Sequence, residues 1–245
     1  WMMKATAGTQ LSLDYASLED LERKFRVLCR LSPFLTAIFS NSPLHLGKPS
    51  GYKSFRSHIW QNTDGTRSGI PGAFIRKDFT IEDYIDWALL ASPYHLNRQG
   101  EIHELMDHSF RNLMDGSYPQ IKTDFEDWKD HLGMLFPEIR IKNIIEIRSI
   151  DTLNPEYVLA VPALLQALIY DETVFGKLES MMMDLPENEF PWYQQVAARD
   201  GLAGQVNQVN FSHFAKKLME MALESLTLSE GCRLALFFDR YTRHG

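Results

Sequence analysis

The 245-residue sequence predicts an α+β fold: an antiparallel sheet with one polar face, backed by helices. Three observations predict it. Segments 9–15 and 138–149 alternate apolar and polar residues with strand period, so each leaves one face wet or functional. The segments around them carry apolar residues at helical spacing, with recognisable starts and stops. Hydrophobic residues are 44% and aromatic residues 12% of the chain, enough to bury a real core. No repeat, low-complexity stretch or clear linker divides it. It reads as a single domain over 1–245, with the sheet and its helices in 1–171 and a mainly helical tail in 172–245.

The first strand, 9–15, points Leu11, Leu13 and Tyr15 one way and Gln10, Ser12 and Asp14 the other. Ser17-x-x-Asp20 resembles a capping box, and Leu18, Leu21, Phe25, Leu28, Leu35 and Phe39 follow at helical spacing. Pro33 is expected to kink or divide that helix. Residues 41–52, with two prolines and two glycines, read as a loop. The stretch 53–69 then gathers Lys53, Arg56, His58 and Arg67 around Trp60. Residues 80–92 form a helix with acids near its positive end, 94–105 a hairpin turning near Gly100, and 110–116 a helix stopped by Gly116. A further helix over 124–137 is ended by Pro137. The strand 138–149 puts Ile139, Ile141, Ile145 and Ile147 on one face and Arg140, Lys142, Glu146 and Arg148 on the other. A helix over 158–171 takes Pro162 in an early turn, and the tail is helical with a loop near 185–191. Met181-Met182-Met183 reads as soft core packing.

A net charge of −7 argues against nonspecific nucleic-acid binding, which needs a cationic face. The cations are local, so a small anion is their natural partner. There is no P-loop, no H-E-x-x-H and no nucleophile elbow. The two cysteines, Cys29 and Cys232, read as buried reduced thiols. No secretory signal is visible and no apolar run reaches the roughly 20 residues that span a bilayer, which points to the cytosol and no membrane. The start, Trp1-Met2-Met3, points to a piece of a longer chain.

If 53–60 is helical, Arg56 and Trp60 lie four apart on one face. A guanidinium beside an indole can hold a carboxylate while the ring excludes water; an arginine stem packed on a core tryptophan has the same spacing. Glu146 could bind a cation, and Arg148, two residues on, could steady a phosphate; a soluble edge strand would carry the same charges. Gln10, Ser12 and Asp14 suit a hard cation and suit solvent equally. His58 alone reads as a surface or core histidine.

Three blocks carry a family likeness. They are MMKATAGTQLSLDYASLEDLERKFRVL (2–28), LTAIFSNSPLHLGKPSGYKSFRSHIWQNTDGTRSG (35–69), and LFPEIRIKNIIEIRSID (135–151) followed by VPALLQALIYD (161–171). In this order and spacing the chain resembles glutamate–cysteine ligases of the plant and proteobacterial branch. Related actinobacterial ligases share much of the pattern. The likeness runs through most of 1–171 and thins beyond it.

The resemblance implies a glutamine synthetase-like catalytic fold, incomplete here at the N-terminus, with ATP and Mg2+ on the polar face of its sheet. It implies that ATP phosphorylates the γ-carboxylate of glutamate and that the cysteine amine attacks the acyl phosphate. The product, γ-glutamylcysteine, would serve glutathione-type thiol synthesis. It places Arg56 and Trp60 on glutamate, Glu146 on Mg2+, Arg148 at the transferring phosphate, and Gln10 and Ser12 near metal and nucleotide. Ser12 stands where the family has asparagine, Ala5 where plant enzymes have arginine, and Ser149-Ile150 where the family has Gly-Ala. These departures leave the acceptor amine open. Metal-binding glutamates that the family carries upstream have no counterpart in the sequence, so weak binding without turnover is expected of this piece alone. The partners implied are glutamate, cysteine and ATP. A ligase with another acceptor, a non-catalytic glutamate-binding relic and a purely structural module remain open at this point.

Overall fold

The two alternating segments pair with each other. In the computed structural model, which describes residues 2–98, 100–105, 108–116 and 122–244, helix α1 (Met2–Ala5) leads into strand β1 (Gly8–Leu13). Helix α2 (Leu18–Ile38) follows. The Ser17 hydroxyl accepts from the Asp20 N–H at 3.2 Å, and the Asp20 carboxylate accepts from Ala16 N–H at 2.8 Å. The expected reciprocal cap is thus present, shifted by one residue. Pro33 does not divide α2. Every residue from Val27 to Ile38 is buried, and packing on all sides outweighs the roughly 3 kcal/mol that an internal proline costs.

Residues 41–52 hold more order than a loop. Strands β2 (Leu44–His45) and β3 (Lys48–Pro49) form a minimal hairpin. Leu46 and Gly47 turn it with φ of 49° and 76°, the positive values that a two-residue hairpin turn requires. Helix α3 (Phe55–Gln61), strand β4 (Ser68–Gly69) and helix α4 (Ile81–Leu90) come next, α4 closed by a Thr80–Asp83 capping box. Strands β5 (His95–Arg98) and β6 (Glu101–Glu104) make the expected hairpin. Helix α5 (Phe110–Met114) stops before Gly116, and α6 is Phe125–Gly133. Helix α6 ends earlier than expected, because Phe136–Pro137 is strand β7, paired in parallel with β4.

The segment 138–149 is two strands, not one: β8 (Ile139–Ile141) and β9 (Ile145–Asp151) fold back through 142–144. Their register pairs Ile139 with Ile147, Arg140 with Glu146 and Ile141 with Ile145. Because partners across a ladder share a face, the apolar and polar sets survive the fold-back. β1 joins the far side of β9, giving the order β1-β9-β8, with Ser12 opposite Glu146 and a register shift between Thr9 and Leu11.

Helices α7 (Ala160–Tyr170), α8 (Glu172–Met183) and α9 (Phe190–Asp200), strands β10 (Gln205–Val206) and β11 (Val209–Asn210), and helices α10 (Phe211–Ser225) and α11 (Leu228–His244) complete the chain. The apolar sheet face, Ile139, Ile145, Ile147 and Ile150, joins one core with residues of α2 and of α7 to α11. Arg30 of α2 is fully buried and donates to the Met182 and Leu185 carbonyls at 3.0 and 3.1 Å, satisfying the end of α8. Met182 is buried, with Met181 and Met183 packed against the same core. Cys29 is buried as expected, but Cys232 is exposed. Leu234 and Phe237 turn α11 inward, which leaves Cys232 on its outer side. Among the described residues no helix is long and apolar enough to cross a membrane.

Candidate functional site

Helix α3 decides where Arg56 goes. The Ser54 hydroxyl accepts from Ser57 N–H at 3.1 Å, and the Ser42 hydroxyl accepts from Arg56 N–H at 3.0 Å. The first turn is thereby fixed and Arg56 faces inward, 6% exposed. Its guanidinium lies on Gly8 of β1, where a Cβ would come within 2.7 Å of Nε. Nη2 donates to the Arg148 carbonyl. Nη1 is buried and, among the described residues, has no hydrogen-bond partner.

One turn along α3, Trp60 stands over the sheet. The Arg148 guanidinium lies 5.9 Å from the Trp60 ring and 6.0 Å from the Phe136 ring, and the two rings are 5.8 Å apart. The Trp60 indole N–H is also buried without a partner among the described residues. Arg56, Trp60 and Arg148 therefore meet at one place, at the edge of the polar sheet face, and leave two buried donors unused. A buried donor without a partner is costly, so a bound acceptor would be stabilised here.

Glu146 sits beside them, held by two arginines. Arg140 Nη2 is 2.6 Å from its Oε2, Arg140 Nε donates to the same oxygen at 2.7 Å, and Arg148 Nη1 lies at 3.2 Å. Burial alone would raise the Glu146 carboxyl, but Arg140 and Arg148 outweigh it and hold it below the usual carboxylate range. Ser12 is next to Glu146 across the ladder, and Gln10 falls at the register shift; both are exposed. Asp14 lies past the end of β1, where its carboxylate accepts from the Tyr170 hydroxyl.

The other cations of 53–69 turn elsewhere. His58 stacks on Tyr52 at 4.0 Å on the outer side of α3. Arg67 lies 2.6 Å from Asp64, donates to the Ser92 carbonyl at 2.7 Å and covers the Tyr94 ring at 3.7 Å. Lys53 is exposed. Only Arg56 of the four reaches the sheet.

Two neighbours escaped the sequence reading. Arg140 was visible as one of a row of cations, but a single strand separates it from Glu146, and only the hairpin joins them. Glu138, 9% exposed, lines a small polar gap with Thr36, Ser57, Gln61 and Gln194. Burial raises its carboxyl, against the opposing pull of Arg56 and Arg148. Its place in the quoted L-F-P-E block was the available signal.

A divalent cation finds little here. On this face Glu146 is the one expected carboxylate ligand, and two arginines occupy it. Among the described residues no group of three or more His, Cys, Asp or Glu could hold a metal. These residues alone do not fit Mg2+, which wants an oxygen shell free of bound cations.

Fold and site together define a class: an α+β domain with a corner where a short helix brings an arginine and a tryptophan against the polar face of an antiparallel sheet. The comparisons narrow it. The model of the family described as glutamate-cysteine ligase family 2 (GCS2) matches residues 1–235, and the chain belongs to that family. The match continues well beyond 171, where the quoted blocks stop. The chain is similar to the chloroplastic glutamate–cysteine ligase of Solanum lycopersicum, 34% identical over 228 residues, 92% of this chain and 44% of that protein. It is similar to chloroplastic glutamate–cysteine ligase B of Oryza sativa subsp. japonica at 34% identity, over 92% of this chain and 46% of that protein. The Arabidopsis thaliana chloroplastic enzyme is 32% identical, over 92% of this chain and 44% of that protein. The chain thus spans less than half the length of these curated relatives.

Proposed function

We propose that this chain, as a single domain, carries the glutamate-binding and phosphate-facing part of a glutamate–cysteine ligase. The observation that carries the reading is the pair of unused buried donors among the described residues, Arg56 Nη1, on the arginine that holds the Arg148 carbonyl, and Trp60 Nε1, on the ring that faces the Arg148 guanidinium. Arg56 grips a carboxylate of glutamate through Nη1, oriented by its own bond to the Arg148 carbonyl. Trp60 walls the bound amino acid from water and offers its N–H. Arg148 stands where a γ-carboxylate would receive a phosphoryl group from ATP, and its charge steadies the phosphoryl oxygens during transfer. Glu146 and Arg140 hold Arg148 in place. The cysteine amine then attacks the acyl phosphate, forming the γ-glutamyl amide and releasing phosphate. When bound, Mg2+ would offset phosphate charge; it needs carboxylates beyond those described here. Gln10 and Ser12, on the exposed side of β1, face the nucleotide. The compartment we propose is the cytosol, on the strength of two unpaired cysteines.

ADP release in the presence of glutamate, cysteine, Mg2+ and ATP tests the proposal. Any release, expected to be weak or nil from these residues alone, is expected to require both amino acids. Arg148→Ala is expected to lower it by at least about a hundredfold, the cost of a lost transition-state donor, while glutamate still binds. Release that ignores glutamate, or survives in Arg148→Ala, contradicts the reading. Substituting other amines for cysteine settles the acceptor.

A further inference from the structure

Asp151 closes β9, is 1% exposed and forms no ion pair among the described residues. Its Oδ2 accepts from Asn41 N–H at 2.8 Å and from the Ser42 hydroxyl at 2.7 Å, and its Oδ1 accepts from the Ser54 hydroxyl at 2.8 Å. A hydroxyl that has given its proton to a carboxylate can only accept elsewhere. Ser42 accordingly accepts from Arg56 N–H at 3.0 Å, and Ser54 from Ser57 N–H at 3.1 Å. One buried carboxylate thus sets the sense of both hydroxyls, and both bonds land on the first turn of α3. Ser42 and Ser54 are brought together by a parallel bridge, with Phe55 N–H donating to the Ser42 carbonyl at 2.9 Å. Opposite Asp151 in β1 is Gly8, whose missing side chain makes room for the Arg56 guanidinium.

Resting on the reading that Arg56 holds the glutamate carboxylate, we propose that Asp151 is a positioning residue for that arginine. Through Ser42 and Ser54 it sets the start of α3, so that Arg56 Nη2 meets the Arg148 carbonyl and Nη1 is left for the substrate. The charge of Asp151 matters here as well as its shape. Asparagine would replace one acceptor by a donor; the serine facing it would lose the acceptor for its own proton, and the carboxamide N–H would compete with α3 for that serine's oxygen, loosening the bond to the helix.

Amide hydrogen exchange and glutamate titration calorimetry on Asp151→Asn, Ser42→Ala and Ser42→Thr test this. In Asp151→Asn the amides of Arg56 and Ser57 are expected to exchange about tenfold faster while α2 keeps its protection, and the glutamate Kd to rise about tenfold. Ser42→Ala reproduces both effects at Arg56 and is the variant to read if Asp151→Asn does not fold; Ser42→Thr, which keeps the hydroxyl, restores wild-type values. Unchanged exchange, or an unchanged Kd, in both Asp151→Asn and Ser42→Ala overturns the positioning role. If the wild type gives no heat with glutamate, the carboxylate reading falls, and exchange alone then decides whether Asp151 sets α3.

Discussion

Glu146 and Glu138 share one arginine neighbour, Arg148, and their carboxyls are shifted in opposite directions. Arg140 and Arg148 hold the Glu146 carboxyl low against the effect of burial, so its contribution to stability is present above the ordinary carboxylate range and is lost as pH falls through its folded value. Glu146→Gln leaves two buried arginines facing each other and is expected to cost about 3 kcal/mol in urea unfolding at neutral pH. The difference shrinks on acidification. Burial holds Glu138 high, so its contribution is present at low pH and lost as pH rises. Glu138→Gln is therefore expected to melt higher than wild type at neutral pH, with the gain vanishing in acid; the pH dependence of the melting temperature checks both signs. The key side chains were legible because Arg56, Trp60, Glu146 and Arg148 sit in dense motif blocks. Arg140 as a partner of Glu146 was not. Six residues of extended strand separate ends by about 20 Å, whereas the hairpin brings the two side chains to 2.6 Å.

At the scale of elements, the helices and most faces follow from periodicity, and the exceptions have physical causes. The turn at Lys142-Asn143-Ile144 has no glycine and no Asn-Gly or Asp-Gly signal; the alternation lapses at Lys142-Asn143 and Ile144-Ile145 but resumes in the same parity, which hid the break in 138–149. Pro33 marked a break that dense burial overrode. The outward turn of Cys232 depended on which side of α11 found the core. The approach of α3 to β1 was also illegible, since it rests on the missing side chain of Gly8. A Cβ there would lie 2.9 Å from the Ile150 carbonyl and 2.7 Å from Arg56 Nε. Gly8→Ala is thus expected to weaken glutamate binding about tenfold, by shifting Arg56, while fold and core are kept. Calorimetry alongside circular dichroism separates the two effects.

Across the whole molecule, an acidic chain concentrates a few cations at one corner, where β1, β9 and α3 converge. On the proposed reading that corner takes an anion. Phosphate is expected to raise the melting temperature by mass action, and Mg2+ alone to leave it unchanged, because Glu146 is already occupied by arginine. A rise with Mg2+ alone would show a cation site where the described residues offer no group of three metal-binding side chains. The chain covers less than half the length of its curated relatives, so catalysis by the described residues is the most demanding part of the account, and binding the most direct. Glutamate titration of the wild type against Arg56→Lys tests the central claim. Lysine keeps the charge but lacks the planar fork that lets one nitrogen meet the Arg148 carbonyl while another, held apart from it, reaches a substrate carboxylate. Heat of binding in the wild type, with at least a tenfold loss of affinity in a still-folded Arg56→Lys, is the expected result; equal affinity in the two proteins would contradict the assignment of Arg56.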